Sequence, residues 1–178
     1  ILVKLYTLKE ERFRYRNNSA ASSIRPVNAA LTVALAKNYL KEDAQVLDPF
    51  CGVGTMLIER HKLVKANTMF GIDIFGDAIK SARENAENAH QIIHFVNRDF
   101  FEFKHDYLFD EIITDMPFAM GHVREEEIKQ IYIQFFHTIK EHLKRNATII
   151  LYSHNKGLVR KYAPANGFRV VEEFEISM

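Results

Sequence analysis

The 178-residue sequence has little of what several protein classes require. It contains a single cysteine, which excludes an internal disulfide and favours a reducing compartment. It has no tryptophan, four prolines and seven glycines, a composition that does not fit a fibrous or low-complexity protein. No apolar run reaches the roughly 20 residues of a membrane helix, and no signal segment opens the sequence. We therefore expect a globular protein of the cytoplasm that does not associate with membranes.

Charge of one sign is not in excess either. The sequence has 24 Lys and Arg against 23 Asp and Glu, a net charge of +1. Because no global field attracts a polyanion, any affinity for nucleic acid must come from a local patch or from another domain. The hydrophobic fraction of 47% is enough for one domain with a full core. The sequence begins with Ile1 and not Met, so we expect a fragment of a longer protein.

Short apolar runs alternate with longer amphipathic ones. The short runs are rich in β-branched residues and predict five buried strands, at residues 46–48, 69–73, 92–96, 111–115 and 148–152. Helical periodicity predicts helices over residues 26–40, 55–65, 77–89 and 125–144. This alternation predicts an α/β fold with a doubly wound, mostly parallel sheet.

The two ends of the sequence do not follow this alternation. Residues 1–18 predict two short strands in a connecting segment ahead of the main domain, residues 19–178. Arg12, Arg14 and Arg16 alternate along the second of these strands, an arrangement that suits either phosphate binding or an ordinary exposed strand. Residues 169–176 predict a last strand.

The first motif with chemical content follows the first strand, at residues 48–55. There a strand runs into a glycine turn and then a helix. Gly52 and Gly54 allow a ligand to approach the backbone, and the start of the helix offers free N–H groups. The third glycine of dinucleotide-binding turns is missing, because Leu57 stands there, and Asp48 would repel a pyrophosphate. The turn therefore favours a cationic ligand, with a purely structural turn as the alternative.

Acidic residues also follow the second and third strands. Asp73 can accept hydrogen bonds from both hydroxyls of a ribose, or it can cap the following helix. Asp99 can accept a hydrogen bond from an adenine amino group, with Ile74 or Phe100 packing on the ring. The alternative for Asp99 is an exposed acid in a turn.

The most specific motif ends the fourth strand, at residues 114–118, Thr-Asp-Met-Pro-Phe. Pro117 cannot donate to a neighbouring strand, so the strand must stop there. The motif leaves a carboxylate, backbone carbonyls and an aromatic face together at the edge of the sheet. This set suits an amino group on a flat heteroaromatic ring. The carboxylate and carbonyl oxygens would accept hydrogen bonds from the amine, and Phe118 would stack on the base.

Together, the motifs at residues 48–55 and 115–118 resemble those of the class I S-adenosylmethionine-dependent N-methyltransferases. The segment 23–26, Ser-Ile-Arg-Pro, and the Asp-Met-Pro-Phe form make the sequence more similar to the THUMP-associated RNA guanine-N2 methyltransferases, over residues 12–177. Met116 departs from the proline usual in that family. The family's RNA-binding THUMP domain is not found in this sequence, and the last antiparallel strand of the fold is expected to be lacking or truncated.

The resemblance implies a Rossmann-like domain that transfers a methyl group from S-adenosylmethionine to the exocyclic N2 of a guanosine. RNA is the implied partner, with tRNA favoured over rRNA, and an RNA-binding domain outside this sequence is expected to be needed. The implied catalytic residues are Asp115, Met116, Pro117 and Phe118. The implied cofactor-binding residues are Asp48, Pro49, Phe50, Cys51, Gly52, Gly54, Thr55, Asp73, Ile74, Asp99 and Phe100. Arg25 and Pro26 are expected to shape the methionine or base side of the pocket.

Three other functions stay open at this stage. Adenine-N6 methylation of DNA or rRNA uses a motif close to residues 115–118. An NAD-linked dehydrogenase is disfavoured by the missing third glycine and by Asp48, and a non-catalytic cofactor-binding module is disfavoured by the intact Asp115 motif. The eight histidines show no zinc-ligand spacing, so no metal is expected. Cys51 has no evident histidine partner and fits a small residue in a tight loop.

Overall fold

The computed structural model describes residues 11–17, 23–119 and 124–176. The strands in these residues are β1 (Ala44–Asp48), β2 (Ala66–Asp73), β3 (His94–Asn97), β4 (Phe109–Asp115) and β5 (Leu143–Tyr152). The helices are α1 (Pro26–Leu35), α2 (Thr55–Leu63), α3 (Gly76–Asn88), α4 (Glu125–Thr138) and α5 (Lys156–Ala165). None of these helices is long and apolar enough to cross a membrane.

The five strands form one sheet in the order β3-β2-β1-β4-β5, and every pairing in it is parallel. The predicted α/β fold with a doubly wound sheet is therefore confirmed. The first strand lies in the middle, between β2 and β4, so the strand order reverses at β1. Ligands of such sheets bind beyond the carboxyl ends of the strands at this point of reversal.

Apolar side chains cover both faces of the sheet. Neighbouring residues on one strand belong to opposite faces, since Val46 packs in one apolar cluster and Leu47 in the other. Ile113 and Ile112 on β4 divide in the same way. Burial on both faces explains why the strands are continuous apolar runs and do not alternate with polar residues.

Element boundaries differ from prediction mainly around the fifth strand. The helix predicted over residues 125–144 ends at Thr138, is followed by a 3₁₀ turn over Ile139–His142, and gives way to β5 at Leu143. Ile139 and Leu143 continue the apolar stripe, so periodicity alone does not reveal the change. The first helix also ends early, at Leu35 and not near residue 40.

The segment of residues 11–17 does not form the predicted strand. A 3₁₀ turn over Glu11–Phe13 begins it, and its arginines make local or tertiary contacts. The Arg12 guanidinium pairs with Glu59 on α2 at 3.1 Å, and Arg16 donates a hydrogen bond to the carbonyl of Ile24. Residues 1–10 and 18, where the rest of the prediction falls, lie outside the described residues.

Tyr15 anchors the same segment to the domain. Its side chain is buried in the core, the Lys62 ammonium lies 3.9 Å from the centre of its ring, and its carbonyl accepts a hydrogen bond from Asn88 on α3. Residues 11–17 therefore pack on α2 and α3. The domain boundary at residue 18 stays a prediction.

The strand predicted at residues 169–176 is wrong. This segment does not pair with the sheet, and Val170, Val171 and Phe174 are exposed. An ion pair of 2.8 Å between Arg160 and Glu173 ties it to α5. The apolar residues of this segment favour a strand, but the segment has no neighbouring strand among the described residues.

Candidate active site at the carboxyl edge of the sheet

The turn between β1 and α2 contains two glycines in the left-handed region. Gly52 has φ of +51° and Gly54 has φ of +82°. A Cβ on Gly52 would meet no atom within 4 Å, whereas a Cβ on Gly54 would lie 3.0 Å from the ring of Phe95. Gly54 is therefore required for packing, and Gly52 leaves open space where a ligand can approach the backbone.

Asp73, the last residue of β2, is bonded to this turn. One carboxylate oxygen accepts a hydrogen bond of 2.8 Å from the Gly52 N–H, and the other accepts one of 2.9 Å from Phe75 at the start of α3. Asp73 thus bonds to the residue before α3, but α3 itself has no side-chain N-cap hydrogen bond. Each oxygen still has a lone pair for a further donor, so these bonds and ribose binding are compatible.

The neighbouring Asn97, which the sequence analysis missed, fixes the backbone of this strand end. Its amide donates hydrogen bonds of 3.0 Å and 2.9 Å to the carbonyls of Asp73 and Ile74. The side chain of Ile74 is 60% exposed, so it is free to pack on a ligand. In register, Asn97 lies opposite Asp73 on the next strand, a position that only the sheet pairing reveals.

Asp48 ends the central strand and is almost completely buried. Its carboxylate accepts a hydrogen bond of 3.1 Å from the Phe50 N–H. Burial, together with the nearby carboxylates of Asp115 and Asp73, raises the pKa of Asp48 to about 8. A cationic ligand at this position would relieve both effects, in agreement with the preference predicted from the sequence.

Asp115 ends β4 beside Asp48. One oxygen of its carboxylate is buried and has no hydrogen-bond partner among the described residues, and burial raises the pKa of Asp115 to about 7. A buried acceptor left unpaired costs roughly 1–3 kcal/mol, so a ligand that donates to it would bind favourably. Met116 is fully buried in the apolar cluster around α4, and its N–H donates to the Tyr152 carbonyl at 2.9 Å.

Phe118 is half-buried and contacts a residue that the sequence analysis did not assign. Its ring centre lies 4.5 Å from that of His154, which follows β5, and His154 in turn meets the edge of Tyr152 at 5.5 Å. Tyr152 and His154 could have been identified from the sequence as polar or aromatic residues at the end of the fifth strand. Pro117 lies between the buried Met116 and Phe118.

Phe100 does not face open space at the site. Its side chain is 2% exposed and packs 5.8 Å from Phe50 and 5.4 Å from His142, measured between ring centres. Asp99 is half-buried, and its carboxylate accepts a hydrogen bond from Phe101 at 2.9 Å. Of the two side chains proposed to pack on an adenine ring, Ile74 is therefore favoured over Phe100.

The remaining residues of the glycine turn are buried. Pro49, Cys51 and Thr55 have little exposed surface, and the Thr55 hydroxyl has no hydrogen-bond partner in the described part of the chain. Burial raises the pKa of the Cys51 thiol, which keeps it protonated and unreactive. Across residues 11–17, 23–119 and 124–176, no group of three or more His, Cys, Asp or Glu side chains could hold a metal ion.

Arg25 and Pro26 lie at the start of α1. Pro26 is the first residue of the helix, and Arg25 ahead of it is exposed. The buried side chain that links this helix to the site is Asn28, whose amide nitrogen lies 3.5 Å from the Tyr152 hydroxyl. A substrate-binding role for Arg25 and Pro26 stays a prediction.

Solved structures that share this fold include proteins named as methylases or methyltransferases. TrmN from Thermus thermophilus superposes with a TM-score of 0.69 at 22% identity, over 84% of this chain and 44% of that one. SMU.472, determined in complex with SAH, superposes with a TM-score of 0.70 at 16% identity, over 90% of this chain and 50% of that one. At these identities the likeness shows the fold.

The chain belongs to the family UPF0020: RMKL-like, methyltransferase domain, whose model matches residues 14–178. It is therefore a methyltransferase domain, and the predicted resemblance is confirmed. The tRNA (guanine(6)-N2)-methyltransferase of Methanocaldococcus jannaschii is 27% identical over 195 residues, which cover 85% of this chain and 51% of that protein. The chain thus spans about half the length of the curated relatives that it matches.

Proposed function

We propose that this domain transfers a methyl group from S-adenosylmethionine to the exocyclic N2 of a guanosine in RNA, with tRNA as the favoured substrate. The observation that supports this most is the buried, unpaired carboxylate oxygen of Asp115, at the same edge of the sheet as the open glycine turn. The activity named for the relative from Methanocaldococcus jannaschii supports guanine and tRNA. A tRNA substrate would place the protein in the cytoplasm.

The residues of the glycine turn and of the next strand fit the methyl donor. S-adenosylmethionine supplies a methyl group that is already activated on a sulfonium. Asp73 has free lone pairs for the ribose hydroxyls, Ile74 offers exposed apolar surface to the adenine ring, and Gly52 allows close approach of the backbone. Asp48 supplies the negative charge that the methionine ammonium needs.

The acceptor amine is the difficult part of the reaction, because its lone pair is delocalised into the base. Hydrogen bonds from the amine to Asp115 and to the Met116 carbonyl localise that lone pair and aim it at the methyl group. Holding the two reactants in line then supplies most of the rate enhancement. As the N–CH₃ bond forms and the S–CH₃ bond breaks, the amine proton passes to Asp115, whose pKa of about 7 suits a general base.

The target base must leave its stack to reach this edge of the sheet. Phe118 supplies an aromatic face that replaces part of the lost stacking. The net charge of +1 does not provide the electrostatic attraction that RNA binding requires, so we expect a domain outside this chain to bind the RNA.

The proposal is tested by incubating the intact protein with tritiated S-adenosylmethionine and tRNA, followed by nucleoside analysis. We expect label in N2-methylguanosine, and a loss of at least 100-fold in rate for Asp115→Ala, as removal of a proton-accepting group predicts. Label in N6-methyladenosine would favour the adenine alternative. Cofactor binding without transfer to tRNA, rRNA or DNA would favour a non-catalytic module.

A further inference from the structure

His154 is an exposed residue at the edge of the sheet that holds the site, and the reaction outlined above does not use it. Its imidazole centre lies 4.5 Å from the ring centre of Phe118, with 46° between the ring planes. It also meets Tyr152 nearly at a right angle, at 5.5 Å between ring centres. Three rings are therefore in continuous contact beside Asp115, whose register partner on β5 is Tyr152.

The backbone that presents His154 is held firmly. The preceding residue, Ser153, makes a hydrogen bond of 2.8 Å with the buried Tyr132 hydroxyl of α4 and accepts one of 2.9 Å from the N–H of Asn155. Phe118, in contrast, belongs to the connection between β4 and α4. The Phe118 ring, on an irregular segment, is thus in contact with the His154 ring, whose backbone is fixed at the end of β5.

The distance between the two rings decides how a base can be bound. At 4.5 Å the imidazole and the phenyl ring are already in contact, so a base does not fit between them. A base that stacks on Phe118 must therefore use a part of the ring that His154 does not contact.

We propose that His154 is a positioning residue, which holds Phe118 in the orientation that stacks on the acceptor base. This inference depends on the proposed function, because the orientation of Phe118 matters for a base only if a base is the acceptor. The role belongs to the aromatic ring of His154 and does not need its charge. An aromatic side chain of another type at position 154 therefore keeps it.

The test compares His154→Ala and His154→Phe in the intact protein, with tritium transfer to tRNA as the assay. We expect His154→Ala to lower kcat/KM about three- to tenfold, the value of one aromatic pair, mainly through a higher KM for tRNA. The Kd for S-adenosylmethionine stays unchanged, and His154→Phe restores most of the loss. His137→Ala, at an exposed position on α4, is the matched control and leaves both constants unchanged.

A double-mutant cycle with Phe118→Leu separates support of Phe118 from direct RNA contact. We expect Phe118→Leu with His154→Ala to be no worse than Phe118→Leu alone. Additive losses, an unchanged KM in His154→Ala, or failure of His154→Phe to restore activity would each overturn the inference while leaving the proposed function intact. If the wild-type protein transfers no methyl to tRNA, the proposed function fails, and the role of His154 fails with it.

Discussion

Asp48, Asp73 and Asp115 end three neighbouring strands, and their charges meet at one edge of the sheet. Burial raises the pKa of Asp48 to about 8 and that of Asp115 to about 7, against 3.8 for an ordinary aspartate. A pKa that is higher in the folded state gives stability at low pH, and this stability is lost as the pH rises through the folded values. Because the ordinary value is 3.8 and the folded values are about 8 and about 7, the ligand-free protein should lose stability between about pH 4 and about pH 8 through these two groups.

Asp48→Asn tests this electrostatic cost directly. The amide keeps an oxygen that can accept the hydrogen bond from Phe50 but carries no charge, so we expect a higher Tm for the ligand-free protein. The increase should be larger at pH 8.5 than at pH 5, because Asp48 is ionised only at the higher pH. The same variant should bind S-adenosylmethionine at least tenfold more weakly. An equal change of Tm at both pH values would contradict the account.

Gly52→Ala probes the open side of the glycine turn. Its φ of +51° makes alanine unfavourable by about 1–2 kcal/mol, but no neighbouring atom clashes with the new methyl group, so the fold should persist. Because the methyl group points into the space left for the cofactor, we expect binding of S-adenosylmethionine to weaken more than tenfold. Gly157→Ala on α5 is the control, since it also meets no atom within 4 Å and has no positive φ. Calorimetry that finds equal affinity in both variants would remove Gly52 from the site.

For single residues, the sequence predicts the positions of the acidic site residues better than those of the aromatic ones. Asp48, Asp73 and Asp115 could be placed because each directly follows an apolar strand, and the carboxyl ends of parallel strands share one edge. The orientation of Phe100 could not be predicted, because nothing in the sequence indicates that its ring packs in the core. His154 was missed because it lies beyond the predicted end of the fifth strand at residue 152, and only the structure shows its contact with Phe118.

Among the elements, α2 and β4 are joined by a buried ion pair that no motif predicted. The guanidinium of Arg60 donates two hydrogen bonds of 2.8 Å to the Glu111 carboxylate, and both side chains are almost completely buried. Arg60 also donates to the carbonyls of Lys41 and Val64. Because α2 follows the glycine turn and β4 ends at Asp115, this pair fixes the two motifs relative to each other.

Breaking one side of the pair should be costly. Glu111→Leu leaves the Arg60 charge buried and unpaired, so we expect a loss of about 3–5 kcal/mol in the free energy of unfolding, measured by urea denaturation. The double variant Arg60→Met, Glu111→Leu should recover most of that loss. Glu127→Ala, which removes the exposed pair between Arg124 and Glu127, is the control and should cost under about 1 kcal/mol. A Glu111→Leu protein as stable as this control would contradict the assignment.

Predictions of elements succeeded where burial on both faces made the pattern unambiguous. All five strands exist, but β3 begins at His94 because Ile92 is 86% exposed and takes no part in the sheet. The end of α4 was missed because the apolar period continues through a 3₁₀ turn into β5. Residues 169–176 have the composition of a strand but form exposed ion pairs with α5 and no strand pairing, and such pairs leave no periodic signal in the sequence.

For the whole molecule, the strand order explains why distant motifs form one site. The reversal at β1 brings the glycine turn, the end of β2 and the end of β4 to the same edge, although residues 48 and 115 are far apart in the sequence. The fold class could be predicted because strand and helix alternate regularly. How RNA is recognised could not be predicted, because the net charge is close to zero and the chain spans about half the length of its curated relatives.

The central claim is that this edge holds the methyl donor at Asp73 and the acceptor amine at Asp115. The most direct test is calorimetric titration of S-adenosylmethionine into the wild type, Asp73→Ala and Asp115→Ala, with methyl transfer to tRNA measured in parallel. The account predicts at least tenfold weaker binding for Asp73→Ala, whereas Asp115→Ala binds within about threefold of the wild type yet transfers no methyl group. Undiminished binding by Asp73→Ala, or full transfer by Asp115→Ala, would contradict it.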